Sequence, residues 1–428
     1  IYFGDDLLFE GYFGDQYSQA KLEDLDSSET IVVWAEDIKD NLPILYLRIK
    51  KAVKNGSKLI VFGHTNTAIA GLADFYFGKD IVSNKFELIR NPNEIEDLKN
   101  NIEGKKVTVI AGKSTVFQKK ESLDKLINYL NEKAELKVFN SFSKGNTFGA
   151  LQNIDEVKGL NEFCNEFDTN AKNIVFTIGV NPVNSSYFSQ KIKENLIASD
   201  FVISLDLFVN ETTELADLIL PTTSLGEKEG TVTNMEMRVM KQNKILPAPG
   251  STLSEWEYLV SILNVLGENV NYKNEIEINN YLSEQYKNQE KVPTFDNLNK
   301  PSNLFGVLNK KDININIKDL KEDNFSLLMV RRLYGDSSTQ INSPSISMLG
   351  AHKFIELNST TAKKYGINSK VGNFIQGPNS ILINIEINEY LPDDLVIAPI
   401  NRRGFEDIDP SLDFDITEAK NREELNVN

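Results

Sequence analysis

From residue 30 to residue 220 the hydrophobic pattern switches repeatedly between two periods. Short runs that are almost wholly apolar, such as Thr30-Ile31-Val32-Val33-Trp34, read as buried strands. Between them, apolar residues recur at helical spacing. Leu42, Leu45, Ile49 and Val53 form one such stripe over Pro43 to Lys54, and Gly56 ends it. Lys58-Leu59-Ile60-Val61-Phe62 is the next strand. Further along, Val107-Thr108-Val109-Ile110-Ala111 reads as strand, Leu123, Leu126, Ile127 and Leu130 as a helical stripe, and Leu136-Lys137-Val138-Phe139 as the closing strand. Ile174–Ile178 and Phe201–Leu205 then flank a helix near 187–197. Strands apolar on both faces, separated by amphipathic helices, predict an α/β protein whose parallel sheets are covered by helices on both sides.

The pattern changes twice more. After a helix from Leu253 to Leu266, which Gly267 caps, residues 268–323 are polar and contain Pro293 and Pro301, which predicts a linker or partly ordered excursion. From Ser326 onward, short runs such as Leu327–Val330, Asn373–Ile375 and Ile381–Ile385 are separated by Gly, Asn and Pro, the pattern of a compact β-barrel domain. The expected layout is therefore an α/β region over 1–267, a linker over 268–323, a β-barrel over 324–405 and an acidic tail over 406–428. The α/β region is expected to split into two interleaved parts, 1–105 with 206–267, and 106–205.

Charge and cysteine usage narrow the chemistry. In 428 residues, 46 Lys and Arg stand against 62 Asp and Glu, leaving a net charge of −16. That balance repels a phosphate backbone and an anionic membrane surface alike. No window approaches the roughly 18 apolar residues of a membrane span, so no membrane insertion is expected. With one cysteine, Cys164, and two histidines, His64 and His352, the chain cannot form an internal disulfide or a Cys₄ zinc or iron–sulfur site. No metal site is expected, and Cys164 reads as a helical core residue within Leu160–Cys164. Ile1-Tyr2-Phe3-Gly4-Asp5 reads as the interior of a folded unit, so the chain is expected to be the later part of something longer.

Several familiar motifs fail on inspection. Gly112-Lys113-Ser114 is half of a phosphate-binding loop, but the position that requires the other glycine is Val107. No G-x-G-x-x-G follows a predicted strand, no G-x-S-x-G is present, and His64 and His352 read as turn residues. The informative stretch is 179–267. Gly179, in Ile178-Gly179-Val180-Asn181-Pro182, stands where a parallel strand ends, at the edge where open α/β sheets hold ligands. The next strand ends in Asp206, which could accept two N–H bonds from a purine edge or cap a helix through Glu211–Asp217. Arg238 could neutralise a phosphate, or make a surface or interdomain ion pair.

A string of short pieces then carries a resemblance. Asp206-Leu-Phe, Glu211-Thr-Thr, Ala216-Asp217-Leu-Ile-Leu-Pro221, Glu229-Gly-Thr, Asn234-x-Glu-x-Arg238 and Ser254-Glu-Trp256 recur in this order in the molybdopterin oxidoreductase family. Leu357–Ala362, Tyr365-Gly366-Ile367 and Gly372-Asn373-Phe374 are similar to that family's dinucleotide-binding barrel, and Asn146–Ala150 looks like one of its turns. The resemblance implies formate dehydrogenase/DMSO reductase-like domains. Within the family, Asp37–Arg48 and Glu229–Asn234 look most like the G subunit of respiratory NADH:quinone oxidoreductase, complex I. That branch implies a structural part without its own cofactor, non-catalytic alone, in the hydrophilic arm on the cytoplasmic side of the inner membrane. Its partners would be other peripheral-arm subunits, with iron–sulfur clusters in an N-terminal part absent from this sequence.

The alternative is a fragment of a catalytic oxidoreductase of formate or nitrate type, dependent on molybdopterin guanine dinucleotide. Gly179, Asn181 and Asp206 would then lie on the dinucleotide, with Asp206 on the guanine and Arg238 on a phosphate. Against catalysis, Thr361 stands where the family usually has Asp, and Met235 and Met237 flank Glu236 where smaller or charged residues are common. A third reading is an interaction module of another complex that reuses the fold.

Overall fold

A computed structural model describes residues 18–34, 37–63, 68–77, 96–97, 99–112, 120–142, 144–152, 156–186, 189–285, 314–316, 327–335, 337–350, 353–389, 391, 393–400, 402, 404–405, 407–409 and 412–419. His64, His352 and Lys113-Ser114 fall outside them. The chain forms two compact units. One comprises Ile1–Leu7, Lys144–Val183 and Lys191–Ile317; the other comprises Leu8–Ser143, Asn184–Gln190 and Lys318–Asn428.

The second unit opens with β1 (Thr30–Trp34), β2 (Lys58–Phe62), β3 (Phe75–Phe77), β4 (Lys106–Gly112) and β5 (Glu135–Ser141). They form one five-stranded sheet in the order β3-β2-β1-β4-β5, parallel throughout. Every residue of β1 is buried, as the unbroken apolar run predicts for a strand covered on both faces. One face packs Val32, Trp34, Ile60 and Phe62 against Leu123, Leu126, Ile127 and Leu130 of the helix Lys120–Lys133. Trp34 and Phe62 meet with ring centroids 5.0 Å apart. Because Thr30 pairs with Val107 and Lys106 with Glu135, β4 and β5 belong to this sheet. The break expected at residue 105 is therefore not where this sheet divides: backbone pairing crosses it.

The first unit carries β6 (Glu156–Lys158), β7 (Ile174–Ile178), β8 (Phe201–Asp206), β9 (Leu218–Pro221), β10 (Gly230–Thr233), β11 (Val239–Gln242) and β12 (Asn314–Asn316). β7, β8 and β9 make a parallel three-stranded sheet, and β10 and β11 an antiparallel hairpin. The helix Leu160–Glu166 starts where Glu162 accepts a hydrogen bond from Gly159 N at 3.0 Å. Cys164 is buried in it, as expected. Helical cover was expected on both faces of the sheet, but Ile174, Phe176 and Ile178 are exposed.

The stretch read as a linker or partly ordered excursion contains secondary structure. It holds the helix Glu275–Gln285, whose Glu275 accepts from Trp256 Nε1 at 3.3 Å, and β12, which pairs with β6. Polar composition hid both, because a short helix and a short edge strand need few apolar residues.

The C-terminal part of the second unit contains β13 (Leu327–Val330), β14 (Phe354–Leu357), β15 (Val371–Gln376), β16 (Asn379–Ile387), β17 (Val396–Pro399) and β18 (Asp415–Glu418). They form a mixed six-stranded sheet in the order β13-β17-β14-β16-β15-β18, so the described residues give a sheet with two edges where a barrel was expected. β18 also lies in the stretch read as an acidic tail. It pairs with β15 through alternation: Ile416 is buried between exposed Asp415 and half-buried Thr417. Gly372 permits that pairing, since a Cβ there would come within 2.7 Å of Thr417 O.

Candidate functional site

At the carboxyl edge of β7 and β8 the structure brings together three of the four residues singled out from sequence. Gly179 turns with φ +60°, and its N–H donates to Leu205 O at 2.8 Å. Nothing lies within 4 Å of where its Cβ would be, so the backbone is open to approach. Two residues on, Asn181 reaches across to the loop after β8. Its Nδ2 donates to Glu211 Oε2 at 2.7 Å, and its Oδ1 accepts from Thr212 Oγ1 at 2.7 Å.

Asp206 serves the same loop differently from the helix cap expected of it. Its Oδ1 accepts from Leu207 N at 2.6 Å and Phe208 N at 3.4 Å, and its Oδ2 from Asn210 Nδ2 at 3.0 Å. The cap is Asn210, whose Oδ1 accepts from Thr212 N at 3.1 Å and Thr213 N at 3.0 Å. Only Thr213–Leu215 is helical, a single 3₁₀ turn, so the span expected through Asp217 is mostly loop. Asn210, Thr212 and Thr213 are buried; the two threonines belong to the motif string, but Asn210 was not picked out from sequence. The signal was present: Asn followed three residues later by Thr is a side-chain-capped turn.

Arg238 stands apart, since the hydrogen bonds joining Gly179, Asn181 and Asp206 among the described residues do not extend to it. It follows the turn between β10 and β11, where Asn234 Oδ1 accepts from Glu236 N at 3.0 Å and Arg238 N at 2.9 Å. Met237 occupies this turn with φ +60°, which explains why a smaller residue suits the position. Buried Glu236 lies 3.9 Å from Arg238 Nε, an ion-pair distance beyond hydrogen-bond reach, and Nε is buried with no hydrogen-bond acceptor. The turn Asn146–Ala150 braces the same hairpin: Asn146 Oδ1 accepts from Thr233 N at 2.8 Å. Gly149 is required beside it, because a Cβ would lie 2.2 Å from that oxygen.

A second polar cluster, in the other unit, went unread in the sequence. Sheet order reverses between β1 and β4, the switch point of a parallel sheet. Just past β1, Asp37 and Asp40 approach Arg332 Nη1 at 4.0 and 3.8 Å. Arg332 also donates to Glu356 and lies 5.3 Å above the Phe354 ring. Burial raises the Asp37 carboxyl above its ordinary range, Asp40 adds to the rise, and Arg332 opposes it. No sequence period signals this cluster, because its members come from segments about 300 residues apart. Thr361, the departure from the family pattern, supports the local structure. Its N–H donates to Asn358 Oδ1 at 2.8 Å and its Oγ1 accepts from Asp394 N at 2.9 Å.

Cys164 is no nucleophile as placed. Burial pushes its thiol up to about 12, so it stays protonated near neutrality. Among the described residues, no three His, Cys, Asp or Glu side chains converge as metal ligands, and no helix is long and apolar enough to cross a membrane.

Parallel sheets, a separate C-terminal mixed sheet and an open carboxyl edge describe a class of fold, and comparison with known proteins identifies it. Residues 8–265 match the molybdopterin oxidoreductase family, and the chain belongs to that family. It is similar to the F420-dependent formate dehydrogenase subunit alpha of Methanocaldococcus jannaschii, with 36% identity over 102 residues, 23% of this chain and 15% of that protein. It is equally similar, 36% over 94 residues, to the assimilatory nitrate reductase catalytic subunit of Bacillus subtilis, covering 22% and 13% of the two chains. The matches thus span about a seventh of these relatives' length. Among solved structures, acetylene hydratase from Pelobacter acetylenicus shares the fold with a TM-score of 0.51 at 14% identity, covering 94% of this chain and 79% of that one. These relatives are formate dehydrogenase and nitrate reductase subunits, whereas the motif string had pointed to the complex I branch.

The family implies a molybdopterin dinucleotide, and three features of the chain fit such a group. Gly179 leaves its backbone open. Asp206 Oδ2 carries one hydrogen bond and so retains one lone pair. The buried Arg238 Nε lacks an acceptor, which a phosphate oxygen would supply.

Proposed function

We propose that the chain forms the dinucleotide-holding scaffold of a molybdopterin oxidoreductase of the formate dehydrogenase or nitrate reductase kind. The observation that carries this reading is the open, left-handed Gly179 backbone at a parallel strand end, hydrogen-bonded to the residue before Asp206. When bound, the molybdenum centre of such a dinucleotide supplies two-electron oxidation and reduction. The chain's own residues hold and orient. Asp206 Oδ2 would accept one N–H of the guanine edge, Gly179 would admit the ring to the backbone, and Arg238 Nε would donate to a phosphate. Asn181 and Asn210 fix the loop that positions Asp206.

Guanosine diphosphate is the direct probe. Calorimetric titration of the chain should show binding that adenosine diphosphate does not reproduce. Asp206→Ala and Arg238→Gln should each weaken it about tenfold, the value of one charge-assisted hydrogen bond. No guanosine diphosphate binding, together with no molybdenum or pterin in protein from its native host, would sink the reading.

The internal saturation of Asn181 and of Asp206 Oδ1 favours a second reading. Here the chain is a cofactor-poor support, like the G subunit of complex I, in the hydrophilic arm of an NADH:quinone oxidoreductase. It would lie peripherally on the cytoplasmic side of the inner membrane, beside other arm subunits that carry the clusters. Co-purification with flavin- and cluster-bearing subunits, joined to a negative nucleotide titration, selects this reading over the first.

A further inference from the structure

The β7-β8-β9 sheet is inverted in polarity. In a strand, alternate side chains share a face, and the register places Ile174 beside Phe201, Phe176 beside Ile203 and Leu218, and Ile178 beside Leu205. The other face presents Val175 and Thr177 beside Val202 and Ser204. The hydroxyl-bearing face is the closed one: Thr177 and Ser204 are buried and hydrogen-bonded at 2.9 Å. The richer apolar face is open at Ile174, 64% exposed, and at Phe176, Ile178, Phe201 and Leu218, all near 40%, and closes at Leu205, which is buried; on the hydroxyl-bearing face Ile219 is exposed to a similar degree. Parallel sheets are stable when both faces are covered, usually by helices. An open face of large aliphatic and aromatic side chains marks a contact surface.

The border of this face favours one kind of cover. The connections that lead into its strands, residues 167–173, 179–200 and 207–217, carry six acids, Asp168, Glu194, Asp200, Glu211, Glu214 and Asp217, against three cations, Lys172, Lys191 and Lys193, the last two on the helix Ser189–Ile197. Asp200 and Asp217 are held at the strand starts, accepting from Asn173 N and Val202 N at 2.8 Å. An apolar centre with an acidic border repels a second copy of a chain that already carries −16. It attracts an apolar stripe flanked by lysine or arginine.

We infer that the open face of β7-β8-β9 docks a basic amphipathic helix of a partner protein. Ile174 to Ile178 spans about 13 Å along the strand, so about nine residues, two and a half helical turns, cover it. The partner helix lays an i, i+3/i+4, i+7 apolar stripe over Phe176 and Ile203, with its cations toward Asp200, Asp217 and Glu214. The inference stands independently of dinucleotide binding, which concerns the carboxyl edge of the same sheet.

The test uses the whole chain and two synthetic peptides of about 18 residues, long enough to hold a helix when bound. Both carry the same leucine stripe at helical spacing; one has lysine at every polar position and the other glutamate. The lysine peptide should bind with one site, weaken as salt rises, and lose about tenfold in affinity with Phe176→Glu. The glutamate peptide should not bind. Because Phe176 is already 39% exposed, the variant should keep its melting temperature, and Leu218→Glu on β9, across β8 from Phe176, provides an independent check. Equal binding of both peptides, no binding of either, or lysine-peptide binding unchanged in both variants would overturn the inference. So would a dimer of the free chain that Phe176→Glu dissolves, which would assign the face to a second copy.

Discussion

The five-stranded and three-stranded sheets start from sequences of the same kind and end in opposite surroundings. Thr30-Ile31-Val32-Val33-Trp34 and Ile174-Val175-Phe176-Thr177-Ile178 are both five-residue, largely apolar parallel strands. In the first, every side chain is buried. In the second, only Thr177 is. An apolar run with β-branched and aromatic residues therefore specifies a strand and a sheet. It does not specify whether this chain provides the cover.

The largest expected effect sharpens that contrast. Trp34→Ala empties a site that is 1% exposed and packed against the Phe62 ring, and should cost about 3–5 kcal/mol in chemical denaturation followed by circular dichroism. Phe176→Ala, an aromatic truncation in the other sheet, should cost less than about 1 kcal/mol. Similar losses would break the comparison.

Glycines offer the next test. In the C-terminal sheet, Gly372→Ala forces a Cβ toward Thr417 O and the Ile385 side chain, and backbone cannot rotate away, so about 2–3 kcal/mol is expected. Gly179→Ala meets no atom and bears only the left-handed backbone penalty, about 1 kcal/mol. Its larger consequence should be on guanosine diphosphate affinity, because the added methyl occupies the open approach.

Caps come third. Asn210→Ala leaves Thr213 N without its side-chain acceptor and Thr212 N with only Asn181 Oδ1 at 3.3 Å, and should cost about 1 kcal/mol of thermal stability. Asp206→Ala releases the exposed Leu207 N–H to water and should cost about half as much. The reverse order would restore Asp206 as the principal cap.

The smallest effect is a pH dependence at Asp37. Its folded-state carboxyl is raised, first by burial and then by Asp40, so the folded chain holds the proton more tightly than the unfolded chain. Stability then falls as pH rises from the ordinary aspartate range, about 4, through the raised value. Asp37→Asn should therefore raise the denaturation midpoint at pH 7 and leave it unchanged near pH 3. A lower midpoint at pH 7 would show that attraction to Arg332, 4.0 Å away, outweighs the burial.

Much of the scaffold was legible from periodicity, and the site less so. Strands β1, β2, β4, β5, β7 and β8 announced themselves because their apolar residues come in short unbroken or alternating runs bounded by turn residues. Gly179, Asn181 and Asp206 were legible because parallel sheets hold ligands at strand ends. Arg238 shared a motif string with Asp206 but not its hydrogen bonds, since sequence order does not fix which hairpin faces which loop. Asn210 went unnoticed because one buried amide looks like any loop asparagine. β12 and the helix Glu275–Gln285 were missed because polar composition resembles a linker whether or not it docks.

The sequence by itself determined the local periods, the acidic balance, the poverty in metal-binding side chains and the motif string that marks the family, because each is a property of neighbouring residues or of composition. Tertiary structure alone decided that β4 pairs with β1, that Arg332 meets Asp37, Asp40 and Glu356, that Asp206 braces Asn210, and which face of β7-β8-β9 stays open. The physical reason is common to all four. Backbone hydrogen bonds and charge pairs join segments far apart in the chain, and one strand pattern satisfies its local rules with or without a neighbour on its apolar side.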